Sequence, residues 1–269
     1  MKNLVRQTEK IGFEWIAFFV ILFFGICLRI FTPPFQLLDE IQHFPRAWQV
    51  SEGIFLSETE KVRSIEQGDN PMAKNVMKLI GDENGRLPLR NEDEKFLVAV
   101  VPSSMMPADY AIDAAVKLNF MTVDMLKNFL NSPLDLQKTE VNIIPNTGQY
   151  SPLAYFPQAL AAFFGRYLNF SSGAIYYAMC LASLFFVAIC VFFAMKILPE
   201  KKLFIFILAM MPMFLLEITS TSADSVTYGI CLLGSAWFLS QRKNFEPITY
   251  REIFLLILFS ICLGLLKSV

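Results

Sequence analysis

The sequence predicts an all-α, polytopic membrane protein, and three observations carry that prediction. Of its 269 residues, 55% are hydrophobic and only 17% are charged, whereas soluble domains average about 45–50% apolar and about 25% charged residues. The mean hydropathy is +0.47. Several apolar runs also approach the roughly 20 residues that a helix needs to cross about 30 Å of hydrocarbon. No basic arm or basic domain is present, so nucleic acid is not an expected partner.

Five segments meet or approach the length and apolarity of a membrane-spanning helix. They are Ile11–Phe31, Gly173–Ile197, Leu203–Thr219, Ser225–Gln241 and Ile253–Lys267. Basic residues precede the first run, as in a signal peptide, but no cleavage site of A-x-A type follows, so we interpret it as an uncleaved span. A sixth candidate, Tyr150–Leu168, contains two prolines and Arg166, and its unbroken apolar part is short.

Basic residues determine the predicted orientation, because short loops rich in Lys and Arg stay in the cytoplasm. If Tyr150–Leu168 does not cross the membrane, all three basic clusters fall on the cytoplasmic side. We therefore interpret this segment as a juxtamembrane helix in the outer interface, where its aromatic residues fit; a short re-entrant hairpin gives the same charge distribution. The clusters are Lys2, Arg6 and Lys10; Lys196, Lys201 and Lys202; and Arg242, Lys243 and Arg251.

This orientation divides the chain into four parts. The expected location is the cell membrane, with the N-terminus in the cytoplasm and residues 32–172 outside. The sequence stops after its fifth span without a polar tail, which predicts further spans beyond Val269 and an incomplete helix bundle here. The parts are the N-terminus with the first span (1–31), an extracytoplasmic loop (32–149), the juxtamembrane helix (150–172) and four further spans (173–269).

The long loop carries 17 acidic and 11 basic residues, a net charge of −6, and we expect it to be mostly helical. The apolar run Phe96–Val101 predicts a short buried strand. Apolar residues at roughly helical spacing predict a helix over Ala108–Asn131. The polar stretch Glu58–Asn91 is typical of a mobile surface segment. All five cysteines lie in apolar segments, so neither a disulfide framework nor a cysteine-based zinc site is expected.

The densest group of reactive side chains follows the first span, after two prolines that end its helix. It comprises Asp39, Glu40, His43 and Arg46. One carboxylate of such a pair can accept a proton from a hydroxyl, while the other holds a cation or orients the first. A helix would put Asp39, His43 and Arg46 on one face, although Pro45 opposes a helix there. An ordinary N-cap with solvated charges explains the same residues, so both interpretations stay open. His43 is the only histidine, which excludes a histidine-rich metal site.

Four further charged residues lie within or beside the spans. Asp224 follows the third span, where an acidic residue is a functional candidate or simply the N-cap of the next helix. Glu217 lies deeper and needs a partner. Arg29 and Arg166 either extend to the interface or bind a phosphate.

Tyr150 and Tyr155 belong to a run of aromatic residues and prolines that closes the long loop. This mixture fits a cleft for lipid or sugar, but its composition favours an interfacial aromatic belt. The sequence has no glycine-rich phosphate loop, no H-E-x-x-H and no serine elbow.

Three motifs, taken in order, resemble a bacterial family of predicted membrane proteins of unknown function, which is itself similar to the GT-C glycosyltransferases. Those multi-span enzymes use polyprenyl-phosphate-linked sugars. The resemblance extends from about Phe18 to Lys267, with two departures: Leu38 stands where proline is expected, and relatives continue beyond the fifth span. The first motif comprises Pro33–Gln36, Asp39-Glu40, His43-Phe44, Arg46-Ala47 and Glu52-Gly53; the second is Tyr150–Ala159 and the third Ser220–Ser225.

The resemblance implies a GT-C-like transmembrane helix bundle and a catalytic site at the outer membrane surface. Asp39 would be the general base on the acceptor hydroxyl. Glu40 and His43 would support it or a divalent cation, and Asp224 would face it from the second outer link. The implied activity is that of an inverting glycosyltransferase that takes a lipid-linked sugar donor from the membrane lipid and uses an extracytoplasmic envelope glycan as acceptor.

A nearby arginine would hold the lipid phosphate that leaves. Two other functions remain open. One is a transporter or lipid-linked glycan flippase in which Asp39, Glu217 and Asp224 line a pathway; the other is a non-catalytic membrane assembly subunit whose loop binds a partner. The candidate substrate-binding residues are Arg29, Arg46, Tyr150, Tyr155 and Arg166.

Overall fold

The computed structural model describes most of the chain, and every structural statement below refers to those residues. Within them the protein is mostly helical, with nine α-helices and one small β-sheet. The described residues are 12–37, 39–61, 95–106, 121–241 and 249–266. Several residues used in the sequence analysis lie outside these ranges, namely Lys2, Arg6, Lys10, Leu38, Arg242, Lys243 and most of the stretch 58–91.

Two of the described helices are long and apolar enough to cross a membrane, and both were predicted as spans. Helix α1 (Phe13–Phe31) has 19 residues and α5 (Ser172–Ile197) has 26, which correspond to about 28 Å and about 39 Å. The helices approach each other closely at Gly25 of α1, where an added Cβ would lie 2.6 Å from Leu184 Cδ1. A larger residue at this position would push α1 away from α5.

Contacts at both ends show that α1 and α5 are antiparallel. Lys202 Nζ, just after α5, lies 2.6 Å from Glu14 Oε2 at the beginning of α1. At the opposite end, the Arg29 guanidinium of α1 lies over the ring of Tyr176, 5.2 Å from its centroid. The end of α1 and the beginning of α5 therefore lie on the same side of the molecule.

The segment predicted as a third span, Leu203–Thr219, is not one continuous helix. It divides at Met211, which is extended at φ −60° and ψ 130°. Pro212 causes the break, because proline lacks an amide hydrogen and disfavours helical conformation in the preceding residue. The remaining helices of the bundle are α6 (Lys202–Ala209), α7 (Pro212–Ile218), α8 (Ala223–Gln241) and α9 (Tyr250–Leu266).

The uncertain sixth segment forms α4 (Phe156–Tyr167). Its 12 residues extend about 18 Å, which is too short to cross about 30 Å of hydrocarbon. Helix α4 runs antiparallel to the first half of α5: a Cβ on Gly165 would lie 2.7 Å from Ile175 Cγ1, and Gln158 donates to Ser183 at 3.3 Å. It thus stands beside the first half of α5 and does not lie across the end of the bundle.

The loop between α1 and α4 contains a three-stranded antiparallel sheet in the order β1-β2-β3. Val98 of the central strand pairs with Glu58 on one side and Ile143 on the other. The predicted strand Phe96–Val101 is confirmed, but the all-α class is corrected, because the other two strands gave no apolar signal. The loop elements are α2 (Glu40–Ser51), β1 (Glu58–Lys61), β2 (Lys95–Pro102), α3 (Val123–Asn131) and β3 (Thr139–Ile143).

Of the helix predicted over Ala108–Asn131, the described part contains α3. Thr122 begins this helix, and its side chain accepts a hydrogen bond from the Met125 amide.

The loop folds onto the bundle instead of forming a separate unit. Trp48 of α2, Phe129 of α3, Tyr155 and Tyr176 of α5 belong to one buried apolar cluster. Gln49 also donates to the carbonyl of Val98 at 3.2 Å and so fastens α2 to the sheet. This packing fixes the beginning of α2 against the helices of the bundle.

Candidate functional site

The two adjacent carboxylates at the beginning of α2 have opposite surroundings. Asp39 occupies the N-cap position in the left-handed region, at φ 60°, and its side chain is exposed and makes no capping hydrogen bond. Its carbonyl instead accepts from the amides of Gln42 and His43. Glu40 is fully buried. The segment is helical despite Pro45, and the two carboxylates face different environments.

Arg29 is the ion-pair partner of Glu40. Its Nη1 lies 3.3 Å from Glu40 Oε1, with both side chains buried. Arg29 Nη2 also donates to the carbonyls of Thr32 and Pro33, at 3.2 and 3.0 Å. The guanidinium therefore stays inside the protein instead of extending to the interface. Its hydrogen bonds are with Glu40 and the backbone where α1 ends.

Glu40 also connects the first and third motifs. Its Oε1 accepts a hydrogen bond from the backbone amide of Thr221 at 3.2 Å. Thr221 belongs to the link Ser220–Asp224 that leads into α8. The beginning of α2, which carries Asp39, is thereby held beside the beginning of α8, which carries Asp224.

His43 touches the second and third motifs together. Its Nδ1 lies 2.7 Å from the Tyr155 hydroxyl and 3.5 Å from the amide nitrogen of Ala223. Because an amide can only donate, we infer that Nδ1 accepts both hydrogen bonds and that the ring proton is on Nε2. His43 is buried, and its ring also lies near that of Tyr150, with centroids 5.7 Å apart.

Gln158 of α4 joins the second and third motifs at a buried position. Its amide nitrogen donates to the Ser222 carbonyl at 3.0 Å and to the hydroxyls of Ser183 and Ser225, each at 3.3 Å. In the sequence Gln158 stands only as one residue of the second motif, and this role was not predicted. An uncharged amide in an apolar aromatic run is itself a signal, because a buried polar group needs hydrogen-bond partners.

Asp224 does not cap α8. The helix begins at Ala223, and the Ser222 hydroxyl accepts from the amide of Asp224 at 3.1 Å, so Ser222 is the N-cap residue. The alternative in which Asp224 caps this helix is therefore wrong. Serine and aspartate are about equally preferred at the N-cap position. Asp224 is half-buried in the first turn, within electrostatic range of Tyr155 and Glu217.

Glu217 lies within electrostatic range of the other three acidic residues near the junction. Glu217 is affected by the charges of Asp224, Glu40 and Asp39, and its side chain is hydrogen-bonded to Ser222. Within the described residues, no group of three or more His, Cys, Asp and Glu side chains is arranged to hold a metal ion. The cation expected at Glu40 and His43 therefore stays a prediction.

Arg46 organises the loop from a buried position. Its guanidinium donates to Gln49 Oε1 at 2.6 Å and to the carbonyls of Ile54, Phe55 and Tyr150, at 3.2, 2.7 and 3.3 Å. Burial lowers the pKa of the Arg46 guanidinium from its ordinary value. The contacts tie the end of the long loop to the segment that follows α2, and they occupy the side chain predicted to bind substrate.

Arg166 performs a similar task at the last residue of α2. It donates to the carbonyl of Ser51, the last residue of α2, at 2.6 Å. It also lies 3.3 Å from Glu52 Oε1 and over the Trp48 ring, 4.7 Å from the centroid. Burial raises the pKa of the Glu52 carboxyl, and Arg166 opposes that rise. Unlike Arg29 and Arg46, Arg166 keeps part of its side chain exposed.

The three predicted motifs therefore meet in pairs. The first contacts the second through His43 and Tyr155, the first contacts the third through Glu40, and the second contacts the third through Gln158. The meeting point lies beside α5, at the side of the bundle where the long loop begins and ends.

These features define a helical membrane protein with a polar junction between its bundle and its loop. Over residues 22–269 the chain matches the family described as predicted membrane protein (DUF2142), and it belongs to that family. The predicted membership of a membrane-protein family of unknown function is thus confirmed. No curated protein and no solved structure matches the chain.

Proposed function

We propose that the chain carries the catalytic junction of a GT-C-type glycosyltransferase, which transfers a sugar from a polyprenyl-phosphate donor to an extracytoplasmic glycan. The observation that supports this proposal most directly is the contact between Glu40 and Thr221, because it joins the beginnings of α2 and α8. Each of these helix ends carries a carboxylate with access to solvent, namely Asp39 and Asp224. Two carboxylates at one exposed junction are suited to acid–base chemistry on a hydroxyl.

In the proposed reaction, Asp39 accepts the proton of the acceptor hydroxyl. The hydroxyl oxygen then attacks the anomeric carbon of the donor sugar, and the bond from that carbon to the phosphate oxygen breaks. The electron pair of the broken bond leaves with the polyprenyl phosphate, and the configuration at the anomeric carbon inverts. Asp224 orients the acceptor from the other side of the junction. The expected divalent cation enters no step of this scheme.

The buried residues of the junction act as positioning residues in this proposal. Glu40 neutralises Arg29 and holds Thr221, so it keeps the two helix ends together. His43 fastens the same end of α2 to Tyr155. Because Glu40 and His43 are buried, we assign contact with the substrate to the exposed Asp39 and the half-buried Asp224. Tyr150 lies at the rim of the junction.

A lipid-linked donor requires that the junction be reached from the membrane. Helix α4 supports this, because one side of it exposes large apolar side chains while the other packs on α5. If α5 crosses the membrane, α4 stands in the outer half of the bilayer and its exposed side faces lipid. We propose that α4 is a re-entrant element on the extracytoplasmic side. The exposed residues are Phe156, Leu160, Phe163, Phe164 and Tyr167.

A transporter or flippase is the second candidate, and Glu217 is the observation that favours it. This carboxyl lies in α7, within electrostatic range of Asp39, Glu40 and Asp224. Acidic side chains that continue from the surface into a helix bundle are typical of an ion or substrate pathway. Under this proposal, Glu217 would be as important for activity as Asp39.

The deciding experiment uses Asp39→Asn in the full-length protein and measures sugar transfer from a polyprenyl-phosphate donor to a glycan acceptor in membranes. Transfer should fall by about 100-fold or more, since a general base contributes roughly 10²–10⁴-fold. Asp124→Asn, on an exposed turn of α3, is the matched control and should transfer normally. Unchanged transfer in Asp39→Asn would remove Asp39 as the base. Loss of substrate transport without any transfer chemistry, shared by Asp39→Asn and Glu217→Gln, would favour the second candidate.

A further inference from the structure

An apolar groove lies between the end of α2 and α4. Its volume is about 550 Å³. Apolar side chains from both sides line it, and Glu52 is the charged residue at its edge. On the α2 side the groove is lined by Val50 and Phe55. On the α4 side it is lined by Leu153, Phe156, Leu160 and Phe163.

The groove has a deep end and a shallow end relative to α5. Leu153 and Phe156 lie near the level of Gln158, which contacts Ser183 in the interior of α5. The opposite end of α4 contacts the beginning of α5 through Gly165. From Phe156 to its last residue α4 extends about 18 Å, which is slightly more than half of the roughly 30 Å hydrocarbon thickness of a bilayer. The helix that forms one wall of the groove is thus about as long as one leaflet is deep.

The shallow end of the groove carries an ion pair of opposite charges. Arg166 lies 3.3 Å from Glu52, and both side chains are partly exposed. The guanidinium is held by the Ser51 carbonyl and the Trp48 ring. A fixed guanidinium binds phosphate oxygens through paired hydrogen bonds, and a neighbouring carboxylate attracts an ammonium group. A head group with a phosphate and an amine matches both partners.

We propose that this groove is a binding site for one zwitterionic membrane phospholipid, with an aliphatic chain between α2 and α4, its phosphate on Arg166 and its amine on Glu52. This lipid is distinct from a reacting donor, because the 12 residues of α2 separate the groove end at Ser51 from Asp39 by about 18 Å. Its role is to hold α4 against α2 within the outer leaflet. The proposal does not depend on the transfer reaction.

The test follows the fluorescence of Trp48, which lies directly beneath Arg166. The full chain carries Trp15→Phe and Trp237→Phe, so that Trp48 is the remaining tryptophan. The protein in neutral detergent micelles is titrated with phosphatidylethanolamine whose chains are brominated, because bromine quenches the emission of a nearby tryptophan over a short range. We expect saturable quenching at one lipid per protein. Arg166→Gln should weaken that binding by about tenfold or more, as for a lost charge-assisted hydrogen bond.

Glu52→Gln provides a variant whose expected effect is a gain. Without the carboxylate, Arg166 is no longer neutralised, so binding of brominated phosphatidylglycerol should become tighter than in the parent chain. Unfolding cannot produce such a gain, so this variant decides the matter even if Arg166→Gln fails to fold. Lys127→Gln, an exposed cation of α3, should leave both titrations unchanged. Quenching that never saturates, or that is equal in the parent and both variants, would overturn the proposal. Absence of quenching in the parent would mean that another segment or a protein partner fills the groove, and would overturn it too.

Discussion

The Arg29 guanidinium and the Glu40 carboxylate lie 3.3 Å apart, with 1% and 0% of their side chains exposed. Arg29 belongs to the end of α1 and Glu40 to the first turn of α2. Because Glu40 also accepts a hydrogen bond from the Thr221 amide, this pair joins three segments: the end of α1, the beginning of α2 and the link before α8. A buried charge left without its partner is costly, so the junction has one strongly preferred arrangement.

The first prediction concerns the charge balance of this pair. Glu40→Gln retains an acceptor for the Thr221 amide but leaves the Arg29 charge buried and unpaired. We expect it to lower the free energy of unfolding by about 3–5 kcal/mol. The double variant Arg29→Met with Glu40→Gln, which buries no net charge, should recover most of that loss. Unfolding in detergent, followed by circular dichroism, measures both; simple addition of the two single effects would refute the coupling.

The second prediction distinguishes the effect of the Asp39 backbone conformation on stability from the effect of its carboxylate. At φ 60°, a residue other than Gly, Asn or Asp costs about 1–2 kcal/mol. Asp39→Val should therefore lower the free energy of unfolding by about that amount, whereas Asp39→Gly and Asp39→Asn should leave it nearly unchanged. Thermal unfolding of the three variants provides the comparison. Equal destabilisation by Asn and Val would mean that the carboxylate itself holds the fold, against its assignment as an exposed reacting group.

The third prediction addresses Gln158, whose amide holds the link before α8. Gln158→Leu removes the three hydrogen bonds that the amide donates, and the Ser222 carbonyl keeps the one from the Ser225 hydroxyl. We expect a loss of about 1–3 kcal/mol in the free energy of unfolding, together with faster hydrogen exchange at the amides of Thr221 and Ser222. Gln137→Leu, at an exposed position, is the control and should change neither quantity. Unchanged exchange at Thr221 would show that the link is held without Gln158.

The fourth prediction is a pH dependence that originates at Glu52. Burial raises the pKa of this carboxyl above its ordinary value of about 4.5. The folded protein therefore binds the proton more tightly than the unfolded chain. Stability should fall as pH rises from about 4.5 to the raised pKa of the folded state. Glu52→Gln should flatten the dependence of the unfolding temperature on pH in that window. If the variant shows the same pH dependence as the parent, the effect originates at another group.

The sequence predicted the parts of this fold that local patterns encode. Apolar runs located α1 and α5, and the run Phe96–Val101 located the central strand. The break in the third span was also encoded locally, by Pro212, but the apolar composition around it outweighed that signal. The alternative in which Asp224 caps α8 was also wrong, because Ser222, two residues earlier, is equally preferred at an N-cap position.

The contacts that assemble the junction were beyond the reach of local patterns. Glu40 and Thr221 are 181 positions apart in the chain, and no spacing rule connects them. The sequence grouped Asp39 with Glu40 because they are adjacent, yet folding exposes one and buries the other. The similarity of three motifs indicated that the segments belong together, but the partner of each side chain follows only from the packing of α2, α4 and α8.

The fifth prediction tests the orientation of the bundle. The contact between Lys202 and Glu14 puts the end of α5 at the same side as the beginning of α1, and short basic segments stay in the cytoplasm. In a chain whose five cysteines are replaced by alanine, we expect a membrane-impermeant maleimide to label Asp124→Cys in intact cells. It should label Lys201→Cys only after the membrane is permeabilised. Both positions are exposed in the structure, so a difference between them reports on the membrane and not on burial. Labelling of Lys201→Cys but not of Asp124→Cys in intact cells would show that the bundle has the opposite orientation. Labelling of both in intact cells would require α4 to cross the bilayer, which its length of about 18 Å does not allow without thinning of the membrane.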